Sequence, residues 1–280
     1  MLLYRTRNGL VVSDRPGGLR ILLPDRSWDD VFSSIITKRE LSDMFSSAKG
    51  AGSADPLSDR ELLPPIGSQE VWAAGVTYLR SRTARMEESA TAGGSDFYDR
   101  VYNAHRPELF FKATPHRVVG HGQTMRLRND SRWNVPEPEL TLAFSNRGKL
   151  LGYCIGNDLS SRDIEGENPL YLPQAKVFDT CAALGPGLLL TDAYPSGDTS
   201  IRMSIRRENA EAFGGETRIA NMKQPFENLR EHLFRNNSFP LGCYLMTGTG
   251  IVPDDDFTLQ PGDEISITID DVGTLMNFIA

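Results

Sequence analysis

The sequence is poor in the two residue types that most often advertise chemistry, with three cysteines (Cys154, Cys181 and Cys243) and four histidines (His105, His116, His121 and His232) in 280 residues. An odd number of widely spaced cysteines, each inside an apolar stretch, argues against a disulfide framework and reads as small buried hydrophobes in a reducing compartment. None sits in a cationic setting that lowers a thiol pKa, so no cysteine nucleophile is expected. Basic charge is also short: 30 Lys and Arg against 37 Asp and Glu leave a net charge of −7, which repels phosphate backbones and anionic headgroups. Nucleic acid and membrane surfaces are therefore not expected partners. The opening Met1-Leu2-Leu3-Tyr4-Arg5-Thr6-Arg7 has no apolar signal core, and no run approaches the ~18 apolar residues that cross a bilayer. A cytoplasmic location is the expectation. What remains is an ordinary globular composition, 39% hydrophobic and 24% charged, which excludes disordered and fibrous classes.

Two short apolar runs, 2–6 and 10–13, flank Asn8-Gly9 and predict a hairpin. Ser27 and Asp30 resemble a capping box ahead of Val31, Phe32, Ile35 and Ile36, which recur at helical spacing. Between 48 and 67 the composition turns to Gly, Ser, Asp and Pro and suits a linker, so residues 1–65 are expected to form a small N-terminal α+β domain and 66–280 a second domain. The second domain reads as mainly antiparallel β, with short β-rich runs at 71–76, 109–112, 117–119, 140–144, 150–155, 187–190, 201–205, 244–246 and 265–269. Its helical signals are a polar stretch at 79–104 and a segment at 224–234 whose Phe226, Leu229 and Leu233 follow a 3.6 period.

Glu137-Pro138-Glu139 leads into the run Leu140–Phe144. Positions i and i+2 of a strand share a face, so the two carboxylates project together ~7 Å apart along the chain. Such a pair repels unless a cation sits between or one acid is protonated. Asp158 ends the next strand, and a turn at Asn146-Arg147-Gly148 would bring it opposite the glutamates. Three carboxylates without Cys or His form an all-oxygen set for Mg²⁺, Mn²⁺ or Ca²⁺; a solvated acidic turn is the alternative. Lys176, flanked by apolar residues, is either an enolate-stabilising cation or a snorkelling surface lysine.

Glu137-x-Glu139, Gly152-Tyr153, Asn157-Asp158-x-Ser160-x-Arg162-Asp163, Lys176, Leu184-Gly185-Pro186, Thr247-Gly248-Thr249-Gly250, Leu259-x-Pro261-Gly262-Asp263 and Gly273-x-Leu275-x-Asn277 occur in one order across residues 70–280. This constellation resembles the fumarylacetoacetate hydrolase family. The resemblance implies an α+β, mainly β fold with a mixed β-roll catalytic domain and a divalent metal, Mg²⁺ first, on Glu137, Glu139 and Asp158. It also implies a small 2-keto acid substrate and a homodimer or homotetramer. Hydrolases of the family carry Gly-x-Asn-Tyr-x-x-His, whereas this chain has Gly75-Val76-Thr77-Tyr78-Leu79-Arg80-Ser81, and serine is no general base near neutral pH. The Gly-Val-Thr-Tyr opening and the run from Arg162 to Lys176 are similar instead to the branch of 2-keto-3-deoxy-sugar-acid dehydratases. That similarity implies Glu108 and Lys176 as catalytic residues, with Arg162 and Thr249 positioning the carboxylate end, while Arg82, in the charged segment 79–104, is expected to meet the substrate hydroxyls. The rival is hydrolysis of acylpyruvates or 2,4-diketo acids, with Glu165 or Glu87 replacing the histidine. The segment 79–104 is expected to be a lid hinged near Gly93-Gly94, or alternatively an ordered helical insertion.

Overall fold

The computed structural model describes residues 1–16, 18, 20–23, 26–50, 62–88 and 95–280. The chain opens with β1 (Leu2–Thr6), β2 (Gly9–Ser13) and β3 (Arg20–Leu23), followed by helices α1 (Trp28–Phe32) and α2 (Lys38–Gly50). It continues with β4 (Leu62–Leu63), β5 (Glu70–Gly75), α3 (Leu79–Glu88), α4 (Ser95–Asn103), β6 (Glu108–Ala113), β7 (Val118–Val119) and β8 (Gln123–Met125). Next come β9 (Asn134–Val135), β10 (Pro138–Phe144), β11 (Leu150–Asp158), β12 (Ser160–Ser161), α5 (Arg162–Glu167) and α6 (Leu172–Lys176). The rest is β13 (Ala182–Leu190), β14 (Ser200–Arg207), β15 (Ala210–Arg218), α7 (Phe226–Phe234), β16 (Cys243–Met246), β17 (Glu264–Ile269) and β18 (Gly273–Ile279). Among the described residues no helix is long and apolar enough to cross a membrane.

The large sheet runs β3-β2-β1-β13-β11-β10-β16-β5-β6, with β4 on β1 and β7 on β13. The strand after β6 thus pairs beside β11, which folds the sheet back on itself. In a flat sheet β6 and β11, four strands apart, would be ~19 Å from each other. Instead the Lys112 Nζ of β6 lies 2.5 Å from an Asp158 oxygen at the end of β11, so the sheet is a roll. Most pairings are antiparallel, as alternation suggested, but β16–β5, β13–β7 and β18–β8 are parallel. The smaller sheet, β15-β14-β17-β18-β8, packs on one face of the roll. There Leu140, Leu142, Phe144, Ile155, Ile201, Ile205, Ile267 and Leu275 form a core with Leu229 and Leu233 of α7. The opposite face, carrying Val71, Ala143, Cys154 and Tyr244, packs against Trp28, Phe32 and Leu41 of the N-terminal helices. The central strand β10 is consequently buried on both faces along its whole length.

Local expectations mostly hold. Ser27 and Asp30 form a reciprocal capping box. The helix stops after one turn, however, because Ser33 closes it and Ser34 takes φ +62°, so Ile36 is buried while Ile35 is left 65% exposed. In the first hairpin the two loop residues are Arg7-Asn8, since Gly9 already pairs with Thr6. Arg117 belongs to a 3-10 turn, and the strand there begins at Val118. Strand β15 and helix α2 were not foreseen: β15 contains Gly214-Gly215 and is mostly exposed at a sheet edge, and α2 reaches into the Gly/Ser-rich stretch that suited a linker. Segment 79–104 holds two helices, α3 and α4; the expected hinge at Gly93-Gly94 and most of the linker fall outside the described residues.

Candidate metal centre and its surroundings

The β10–β11 register follows from alternation plus a short turn. Pro138 pairs with Asn157 and Glu139 with Gly156, and just beyond the last ladder pair Glu137 and Asp158 exchange backbone hydrogen bonds of 3.2 and 3.0 Å. The apolar residues Leu140, Leu142 and Phe144 fill one face, so Glu137 and Glu139 must occupy the other, where Asp158 joins them. One oxygen from each of the three lies within 4.8 Å of the others, and all three residues are buried.

Four cations surround this group. Lys176, at the end of α6, donates to Glu137 Oε2 (2.6 Å), Asp158 Oδ2 (3.1 Å) and Ser160 Oγ (2.6 Å). Arg162 at the start of α5 pairs with Glu137 Oε1 at 2.7 Å. Arg85 of α3 pairs with Glu165 of α5 and lies 3.5 Å from Glu137. Lys112 of β6 approaches the other Asp158 oxygen. Positive charge is therefore concentrated on Glu137. Burial alone would push its carboxyl up, but Lys176, Arg162 and Arg85 outweigh burial and hold it well below the usual range. Glu139 has the opposite balance. Burial, reinforced by Asp158 and Glu137, drives its carboxyl well above the ordinary value, and what it accepts is the Gly248 N–H at 2.5 Å. Gly248 can come so close because it is glycine: at φ +91° a Cβ would fall 2.0 Å from Thr77 Oγ1.

This distribution fits a divalent cation. The donors are all carboxylate oxygens, which suit a hard ion, and among the described residues Glu139 is the one carboxylate of the three with no cation paired to it in an ion pair. Without a cation Glu139 is disfavoured as an anion, and with one it becomes a ligand.

The cavity over the carboxylates is small, about 10 Å³, and is lined by Gly75, Ser81, Arg85, Phe110, Lys176 and Thr249 besides the acids. Ser81, where family hydrolases carry histidine, is tied to the Tyr78 backbone, donating to its carbonyl at 2.8 Å. His121 accepts from the Met276 backbone N–H, and His105 and His232 lie against each other by α7, so these three stand away from the carboxylates. Glu108 sits at the edge of the cavity with its carboxyl against Gly75, where any Cβ would collide with Oε2 at 2.1 Å. Its other side lines a wider groove of about 770 Å³ with Tyr98, Pro107 and Leu170. Burial raises the Glu108 carboxyl, and Glu137 adds to this, against the opposing pull of Arg85 and Lys176. Thr249 borders the cavity with its hydroxyl turned to the Ile251 backbone.

Arg82 is not brought to the cavity: its guanidinium pairs with Asp99 of α4 and lies over the Tyr102 ring. Arg85, one turn on, faces the site instead, and it was missed because a helix face cannot be assigned from a stretch polar all round. Glu165 is held by Arg85 and so is not a free base, while the side chain of Glu87 lies outside the described residues. Lys112 was also missed, although its alternation with Glu108 and Phe110 along β6 marks one face of that strand.

Residues 71–280 match the model of the fumarylacetoacetate hydrolase C-terminal family. The chain is 44% identical over 226 residues, 80% of its length and 77% of the relative's, to a probable 2-keto-3-deoxyxylonate dehydratase of Haloferax volcanii. It is 42% identical over 222 residues (79% and 74%) to the 2-dehydro-3-deoxy-D-arabinonate dehydratase of Saccharolobus solfataricus. Among solved structures, a 2-keto-3-deoxy-D-arabinonate dehydratase complexed with magnesium and 2,5-dioxopentanoate superposes with TM-score 0.79 at 33% identity, covering 99% of this chain and 97% of that one.

Proposed function

The chain belongs to the fumarylacetoacetate hydrolase family, and from that premise we propose that it is a Mg²⁺-dependent hydro-lyase that dehydrates a 2-keto-3-deoxy-pentonate to 2,5-dioxopentanoate. The observation that carries the proposal is the buried trio Glu137, Glu139 and Asp158 beside Lys176, with a backbone-tied serine at position 81 in place of a histidine base. Glu137, Glu139 and Asp158 would hold the Mg²⁺, whose Lewis acidity would favour loss of the C3 proton of the 2-keto acid. Lys176 then stabilises charge developing on the C2 oxygen. Glu108, whose carboxyl pKa burial raises, gives its acid proton to the departing C4 hydroxyl while its other oxygen takes the proton leaving C3, so one carboxyl serves both transfers. One water is lost, and a proton shift along C3 to C5 turns the terminal CH₂OH into the aldehyde without net oxidation. Thr249, which borders the cavity, and Arg162, which sits on Glu137 outside the cavity lining, are the groups assigned to the carboxylate end.

The protein acts on this small 2-keto acid in the cytoplasm, a reading supported by three buried free cysteines and a net charge of −7, as a homodimer or homotetramer. Residues 66–280 form the catalytic β-roll, and every residue described around the carboxylates comes from it. Residues 1–65 are the small N-terminal domain with its linker, which docks through β1 onto β13. Incubation with a 2-keto-3-deoxy-pentonate and, separately, an acylpyruvate tests the reaction. An aldehyde formed without C–C cleavage is expected from the first and nothing from the second. Release of pyruvate and a carboxylic acid from the acylpyruvate would mean a hydrolase.

A further inference from the structure

Lys112 is fully buried, an environment that lysine almost never enters without a specific set of partners. An ammonium has three protons. Here Nζ donates to the Leu159 carbonyl at 3.0 Å and the Lys176 carbonyl at 2.5 Å, and it lies 2.5 Å from Asp158 Oδ1 in an ion pair. The side chain is not among those lining the cavity, and its ammonium is directed at Asp158 and these two backbone carbonyls. Its three partners belong to the two segments that matter most. Asp158 and Leu159 are consecutive, and the Lys176 carbonyl is the last of α6, one of the C-terminal carbonyls that a helix cannot satisfy internally. A cation there also complements the helix dipole. With Oδ1 engaged, Asp158 keeps Oδ2 for the interior of the site, where Lys176 now donates to it.

We propose that Lys112 is a positioning residue: it restricts Asp158 to one oxygen for the metal and pins the end of α6 from which Lys176 reaches the same site. The proposal rests on reading Asp158 as a metal ligand. Because Lys112 places a positive charge next to that ligand, it opposes cation binding while it sharpens geometry. Lys112 thus sacrifices affinity for alignment, and this separates a positioning role from a merely structural one.

The test is Lys112→Met, which keeps the stem and removes charge and donors, with Lys112→Gln as the second variant should the first not fold. Mn²⁺ binding is titrated calorimetrically on metal-free protein, and kcat and KM are measured separately at saturating Mg²⁺. We expect Mn²⁺ to bind at least as tightly as to the native protein, because repulsion beside Asp158 is relieved. Turnover is expected to drop by about 100-fold, the scale of a small misplacement of reacting groups, with KM changed less than about 3-fold. Turnover within about 3-fold of native overturns the proposal. So does Mn²⁺ binding weakened in parallel with turnover, which is the mark of a structural role alone. If Asp158 were no ligand, Asp158→Asn would bind Mn²⁺ as tightly as the native protein, and that result is distinguishable from either.

Discussion

Two regions meet at the carboxylates and are held by different forces. The wall, β10 and β11, is bonded through its backbone on both sides: β10 lies between β11 and β16, and β11 between β10 and β13. The flank, α3 and α4, is joined to its surroundings in large part by side chains. Arg82 pairs with Asp99 across the two helices, Arg80 reaches Asp254, and Lys223 donates to Asn103. Ladder hydrogen bonds inside a close-packed core fix geometry strongly, whereas exposed ion pairs contribute little and are screened by salt. The wall therefore suits groups whose spacing sets chemistry, and the flank suits groups that cover the site. Arg85 is the exception on the flank, because its partners Glu137 and Glu165 are both buried.

The contrast is tested most severely at the centre of the wall. Glu139→Gln keeps shape but removes the charge that makes Glu139 a ligand, and we expect turnover to fall by more than about 1000-fold. The metal-free variant should melt no lower than native, since a neutral amide no longer opposes Asp158 and Glu137. The thermal shift that Mg²⁺ confers on the native protein should disappear. Differential scanning calorimetry with and without Mg²⁺ reads both, and a full Mg²⁺ shift in the variant would remove Glu139 from the ligand set.

At the border between wall and flank, Glu108→Gln is expected to lower kcat by about 10²–10⁴-fold while leaving Mn²⁺ binding intact. Burial raises the Glu108 carboxyl, so its acid form persists above the ordinary glutamate range. In the proposed mechanism the acid form donates to the departing hydroxyl, so native turnover should decline as pH rises through that raised pKa, and Glu108→Gln should lose this alkaline limb. A pH–rate profile with the limb unchanged in the variant would assign it to another group.

The same contrast explains what could be read from the sequence. The carboxylate trio was legible because strands have a period of two and a three-residue turn leaves little freedom of register. Glu108, Lys176 and the substrate contacts came from motif resemblance, since an isolated Glu or Lys carries no periodic signal. Lys112 was legible in principle, sharing a strand face with Glu108 and Phe110, but a lysine in a six-residue strand reads as a surface residue until the sheet is known to roll. Arg82 was expected at the site and Arg85 was not, because which of two arginines one turn apart points inward depends on the helix's rotation. That rotation is set by Asp99, Glu137 and Glu165, all far along the chain.

Arg85→Met is the next largest effect. Removing one member of a buried cluster leaves Glu165 without its cation and takes one of three from Glu137, at a cost of about 3–5 kcal/mol. Urea denaturation should show this loss at low and high salt alike, since the pair is shielded from solvent. If the loss vanishes at high salt, Arg85 is exposed in solution and the flank opens more widely than its packing indicates.

Arg82→Ala, one turn away, should produce the smallest change. Its pair with Asp99 is partly exposed, 27% and 41% for the two side chains, so the ion pair is worth at most about 1 kcal/mol and weakens as salt is added. The guanidinium is spent on Asp99 and Tyr102 rather than on the cavity, and kcat/KM should stay within about 3-fold of native. What should change is local: α3 and α4 lose the charged contact between them, and amide hydrogen exchange in both should accelerate while β10 and β11 remain protected. An equal acceleration in β10 and β11 would show that wall and flank open as one unit. A large fall in kcat/KM with KM raised would instead mean that Arg82 leaves Asp99 during turnover to meet the substrate, with the flank acting as a lid over the rigid wall.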